Sequence, residues 1–96
     1  MLSFDAVQEI CDRANTTLVL HPAIRKAVRG HEEGFYIGLR CFLRGETGGI
    51  YHLPLARGGP VSLRFSKRAS AGGHNILRVD PVSPDGLRRI KDALKD

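Results

Sequence analysis

The segment 35–44, which reads FYIGLRCFLR, decides the predicted fold. Its odd-numbered side chains are all apolar and point one way, while the even-numbered ones, which include Arg40 and Arg44, point the other. An alternation with a period of two is typical of a half-buried β-strand. The segment is therefore predicted to be a strand at the centre of the chain.

Three further strands are predicted after this one, because glycine-rich turns separate runs of alternating or apolar residues. In chain order, the turns and strands are turn 45–49, strand 50–55, turn 57–60, strand 61–66, loop 67–73 and strand 75–80. Consecutive strands joined by short turns pair antiparallel. The sequence thus predicts an antiparallel meander.

Helices are predicted on both sides of the strand region. The first runs from an N-cap at Ser3 to Asn15, and the second begins at Pro22 and stops before Gly30. A last helix begins at 83–85, where an N-cap serine, a proline and an acid follow one another.

The predicted fold is α+β. A single domain over 1–96 has a four-stranded antiparallel meander sheet packed on one face by the N-terminal helices and a C-terminal helix, in the order ααββββα. Segment 18–20 is apolar but too short to assign by periodicity. The other face of the sheet is expected to meet solvent or a partner.

Composition places the chain among globular domains, with 42% apolar and 26% charged residues in 96. Cys11 and Cys41 are too few for a disulfide framework or a zinc knuckle, and we expect both to be small core residues. No secretion signal and no membrane-length apolar run is recognisable. A cytoplasmic location is therefore expected, without a membrane partner.

The positive charge is concentrated in the predicted strands. Segment 34–79 holds seven of the 15 bases but only one of the 10 acids. Arginine beside an aromatic ring is typical of nucleic-acid contacts and of protein interfaces. The predicted binding residues are Tyr36, Arg40, Phe42, Arg44, Arg64, Lys67, Arg68 and Arg78.

The expected function is that of a small non-enzymatic binding or inhibitor module. Its basic sheet face would engage a nucleic acid or an acidic surface of a nucleic-acid-processing complex, as a phage-type inhibitor or accessory protein would. A homodimer is left open. The simpler interpretation is that the arginines serve solubility and discourage edge pairing.

The alternative function is that of a small metal-independent ribonuclease or toxin. His52, His74, Glu46 and Arg64 supply the residue types of a general base, a general acid and a phosphate-stabilising cation. Neither a cofactor nor a metal site is expected, because no two histidines have the spacing of a metal-binding helix pair.

Overall fold

The chain folds as four helices and four strands within the residues that the computed structural model describes, 4–46 and 48–95. The elements in order are α1 (Phe4–Arg13), β1 (Thr16–Leu20), α2 (Pro22–Val28), α3 (Glu32–Leu43), β2 (Ile50–Leu53), β3 (Val61–Ala69), a 3-10 turn (Ala71–Gly73), β4 (Asn75–Pro81) and α4 (Gly86–Ala93). The α+β class is confirmed.

The sheet is mixed, so the predicted antiparallel meander is wrong in part. Its strand order is β1-β4-β3-β2, with β1 parallel to β4 and the two other pairs antiparallel. The order along the chain is αβααβββα rather than ααββββα. The cause is the short segment 16–20, which forms β1. Every residue of β1 pairs with β4, a strand that is far away in the sequence.

The segment 35–43 is helical, which corrects the prediction of a strand there. Phe35 and Leu39, four residues apart, are almost fully buried, whereas Ile37 is 55% exposed. A strand would have placed all three side chains on the same side, whereas a helix places only Phe35 and Leu39 on one side. The glycine-rich segment 45–49 therefore connects a helix to a strand and closes no hairpin.

The remaining element predictions agree with the structure within a few residues. The second helix begins at Pro22, with His21 Nδ1 accepting a hydrogen bond from the Ala23 amide at 3.0 Å. The strands predicted at 61–66 and 75–80 are confirmed, and both extend further. The N-cap predicted at Ser3 lies outside the described residues, and α1 ends two residues before Asn15.

One face of the sheet packs against the helices and forms the core. The buried strand side chains of the described residues all belong to this face, and they are Thr16, Leu18, Leu53, Val61, Leu63, Phe65, Leu77 and Val79. Phe35 of α3 meets the rings of Tyr51 and Phe65 edge-on, with centroid distances of 5.7 and 5.5 Å. Gly38 of α3 lies over the Phe65 ring, and a Cβ there would make an ordinary van der Waals contact at 3.4 Å from Phe65 Cε2.

We expect Gly49→Ala to lower the free energy of unfolding by about 2 to 4 kcal/mol. Gly49 has a φ of 82°, and an added Cβ would lie 2.8 Å from Phe42 Cδ1 and 3.1 Å from the Phe65 carbonyl oxygen. Both backbone strain and a steric clash would therefore oppose folding.

Gly30→Ala is the matched control, since Gly30 has a φ of 85° but no atom within 4 Å of an added Cβ. It should cost about 1 kcal/mol, from strain alone. Urea denaturation of both variants measures the difference, and equal losses would contradict the packing around Gly49.

Candidate functional site

The sheet face opposite the helices carries a group of arginines on its two central strands, β3 and β4. Side chains alternate along β3, so Arg64 and Arg68 point away from the buried Leu63 and Phe65. Arg78 of β4 points to the same side. We call the outward-facing residues of the four strands the open face.

The strand register fixes how these three arginines lie relative to one another. Arg64 and Arg68 are four residues apart on β3, which places their Cα atoms about 13 Å apart. Arg78 is in register with Ser66, midway between them on the neighbouring strand, about 5 Å to the side. The arginines thus form a triangle at the centre of the open face.

Two of the three guanidinium groups have no side-chain partner among the residues that the structure describes. Arg78 Nε donates to Asp80 Oδ2 at 3.2 Å, with both side chains about half exposed. Arg64 and Arg68 have no ion pair or hydrogen bond to any side chain in the described ranges. Asp80, which is in register with Arg64, is the single carboxylate on the open face among the described strands.

The rest of the open face is a mixture of hydroxyl groups and separate aliphatic side chains. Ser62, Ser66 and Thr17 supply the hydroxyls, Val19 and Ile50 are 38% and 40% exposed, and the half-buried Ile76 and the exposed His52 complete the face. No phenylalanine or tyrosine of the described residues lies on this face, so the His52 imidazole is its one aromatic ring among the described strands. The face can therefore bind anions through guanidinium and hydroxyl groups.

Three of the eight predicted binding residues belong to α3 and a fourth, Arg44, is its C-cap, so all four lie in the helix layer and their assignment to the open face is wrong. Phe42 packs against Phe65 with ring centroids 5.8 Å apart, and Tyr36 is half-buried. Arg40 is exposed on the helix, and Arg44 Nη1 lies 3.9 Å from Glu46 Oε1. The reason is that 35–43 is a helix and not a strand, so its side chains do not alternate between two faces of the sheet.

Lys67 and Arg68, predicted to lie in the loop 67–73, belong to β3 and point to opposite faces of the sheet. Lys67 is in register with the buried Leu77, which puts it on the helix-covered side, where it is nevertheless exposed. Arg68 follows it and lies on the open face. Of the eight predicted residues, the structure brings together only Arg64, Arg68 and Arg78.

A second basic surface was not recognisable from charge counts along the chain. Helices α2 and α4 pack against each other, and their bases with those of the adjoining residues are Arg25, Lys26, Arg29, Arg88, Arg89, Lys91 and Lys95. Part of this charge stabilises the fold, since Arg89 donates to the carbonyl of Gly59. The contact between α2 and α4 is long-range, and no local pattern indicates it.

His74 acts as a structural bridge. Its Nδ1 lies 2.9 Å from Asn15 Oδ1 and its Nε2 lies 2.6 Å from Thr17 Oγ1. Both ring nitrogens are therefore engaged in tying the turn before β4 to the start of β1. This geometry leaves neither nitrogen available for proton transfer.

His52 lies far from His74, so the structure does not assemble the predicted acid–base pair. His52 is in register with Ser62 of β3, whose hydroxyl lies 2.9 Å from its Nδ1. His74 directly precedes Asn75, which is in register with Ala69, so seven residues of β3, or about 23 Å, separate the two positions along the sheet. Glu46, in turn, follows α3 and pairs with Arg44.

The described residues contain no group of three or more His, Cys, Asp or Glu side chains arranged to hold a metal ion. No helix in that part of the chain has the length and apolar character needed to cross a membrane.

The two cysteines differ in accessibility, and we expect them to differ in reactivity. Cys11 is fully buried, and burial, with a smaller contribution from the Asp12 carboxylate, raises the pKa of its thiol above the usual value. Cys41 is only half-buried, which corrects the expectation that both are core residues. At pH 8, N-ethylmaleimide should modify Cys41 first and leave Cys11 protonated and unmodified until denaturant is added.

Peptide mass spectrometry before and after unfolding measures the modification at each site. Because the pKa of Cys11 is raised, its thiolate fraction stays low over a wider pH range than that of an exposed cysteine. Modification of Cys11 at the same rate as Cys41 in the folded protein would contradict the packing of α1.

Comparison with known proteins adds no constraint on function. No family model, no curated protein and no solved structure matches the chain. The chemistry of the open face is therefore the basis on which a function can be assigned.

Proposed function

We propose that this protein is a small binding module that docks its open face on the phosphate backbone of a nucleic acid. The observation that carries the proposal is the triangle of Arg64, Arg68 and Arg78 on a sheet face that no described helix covers. By covering phosphates, a protein of this size would hinder enzymes that act on the same strand, which is the inhibitor role.

The guanidinium chemistry favours phosphate as the ligand. A guanidinium group binds phosphate oxygens through two parallel N–H donors, and its charge does not depend on pH in the physiological range. Arg64 and Arg68 meet no carboxylate within ion-pair distance in the described ranges, so a phosphate would not have to displace an internal partner. The nearby hydroxyls of Ser62 and Ser66 are further donors of the kind that contact nucleic-acid backbones.

An acidic protein surface is the less favoured partner. Protein interfaces depend on a buried centre enriched in tyrosine, tryptophan and arginine, with apolar packing around it. On the open face, Val19 and Ile50 lie on opposite edge strands, and the phenylalanine and tyrosine rings predicted there belong to the helix layer. Among the described strands, the half-buried Ile76 is the one aliphatic side chain that a central strand adds to this face. The face thus has the charge for such an interface but only one aliphatic residue near its centre.

Binding should weaken with salt in proportion to the number of phosphates neutralised. For a duplex oligonucleotide and three arginine contacts, log affinity should fall with log salt at a slope of about −2.7. Arg64→Ala combined with Arg68→Ala should reduce the magnitude of this slope by about 1.8. Fluorescence anisotropy over a salt series measures both values.

Arg29→Ala combined with Arg88→Ala is the matched control, because it removes two exposed arginines from the α2–α4 surface and none from the open face. It should leave the slope close to that of the wild type. If the control reduces the slope as much as the open-face variant does, the docking surface is on the helices. If no oligonucleotide binds with any salt dependence, the proposed function is wrong.

A further inference from the structure

A cavity of about 300 Å³ lies at one end of the open face, where the two parallel strands end. Because β1 and β4 run in the same direction, their carboxyl ends meet at the same edge of the sheet, and α2 begins directly after β1. Leu20, Ile24 and Leu87 form apolar walls. The volume is at the lower end of the range for small-molecule pockets, which suits a single ring system.

Three polar side chains also line this cavity: His21, Arg78 and Asp80. His21 Nδ1 accepts the Ala23 amide hydrogen, so the neutral ring carries its own proton on Nε2 and presents a donor there. Asp80 is positioned by Arg78, and its carboxylate retains lone pairs beyond those two contacts. The cavity therefore offers donors and an acceptor around apolar walls.

Arg78 and Asp80 belong to both the cavity and the open face, so the two are continuous. A face that bound only phosphates would gain nothing from a carboxylate, because like charges repel. The one carboxylate of the open face, within the described strands, lines the cavity. This position suits a ligand group that donates N–H hydrogen bonds while its phosphate lies on the arginines.

We propose that the cavity takes one unpaired nucleobase bearing an exocyclic amino group. This inference rests on the proposed function of the open face. The apolar walls contact the faces of the ring, and Asp80 accepts a hydrogen bond from the amino group. His21 Nε2 and Arg78 donate to acceptors on the edge of the ring. A carboxylate that accepts from the amino group of cytosine is a known form of base readout.

The test compares three fluorescein-labelled 12-mers that carry the same number of phosphates: oligodeoxycytidine, oligothymidine and an abasic strand. Thymine has a carbonyl oxygen where cytosine has the amino group, and the abasic strand has no ring at all. We expect the wild type to bind oligodeoxycytidine at least about fivefold more tightly than either of the others. Anisotropy titrations over a salt series give the salt slope of each strand and the three affinities at one common salt concentration.

Asp80→Ala should bring the ratio of cytidine to thymidine affinity close to one. The variant and the wild type are compared by this ratio and not by either affinity alone, because removal of an acidic side chain raises the affinity for every strand. Asp80 is exposed on the sheet surface, and circular dichroism checks that the variant folds. Asp12→Ala removes the same charge from the exposed surface of α1 and should leave the ratio unchanged.

Equal wild-type affinity for the three strands, with a normal salt slope, would overturn the base pocket and leave the proposed function standing. An Asp80→Ala variant that keeps the cytidine preference would also overturn it. Absence of salt-dependent binding to all three strands and to the duplex would reject both proposals together.

Discussion

The packing of Phe35 against the sheet is the interaction on which the rest of the structure depends. Its ring is fully buried and meets Tyr51 of β2 and Phe65 of β3 edge-on, which fixes α3 across the sheet. Aromatic contacts of this kind contribute about 0.5 to 1.5 kcal/mol beyond the burial of their area. Because α3 takes this position, one face of the sheet becomes core and the opposite face is left to solvent.

The same packing determines which arginines can act together. A single helical segment contributes Phe35 and Leu39 to the core, so its own bases, Arg40 and Arg44, must lie in the helix layer. The arginines of β3 and β4 alternate with buried residues and therefore project to the other side. Charge that is contiguous along the chain is thus divided between two sides of the molecule.

The sequence predicts most elements of this fold but not the pairing that organises them. The proline at position 22 and the alternation in 61–66 are local signals that the structure confirms. A helix also follows 83–85, but it begins at Gly86 with Asp85 as its N-cap, rather than with Ser83. Segment 35–43 is ambiguous, because a helix and a strand both place Phe35, Leu39 and Leu43 on one side. Helical spacing explains the exposed Ile37, which sequence alternation could not.

Pairing between β1 and β4 has a consequence for how the chain reaches its native state. The side-chain hydrogen bond between Asn15 and His74 spans 59 residues, and the adjoining strands are equally distant in sequence. Bringing the ends of such a long segment together lowers the chain entropy before the stabilising contacts between β1 and β4 can form. This order of events slows folding. During synthesis, β1 must therefore wait for β4 to leave the ribosome, and a chain truncated before that point would expose an apolar edge strand prone to aggregation.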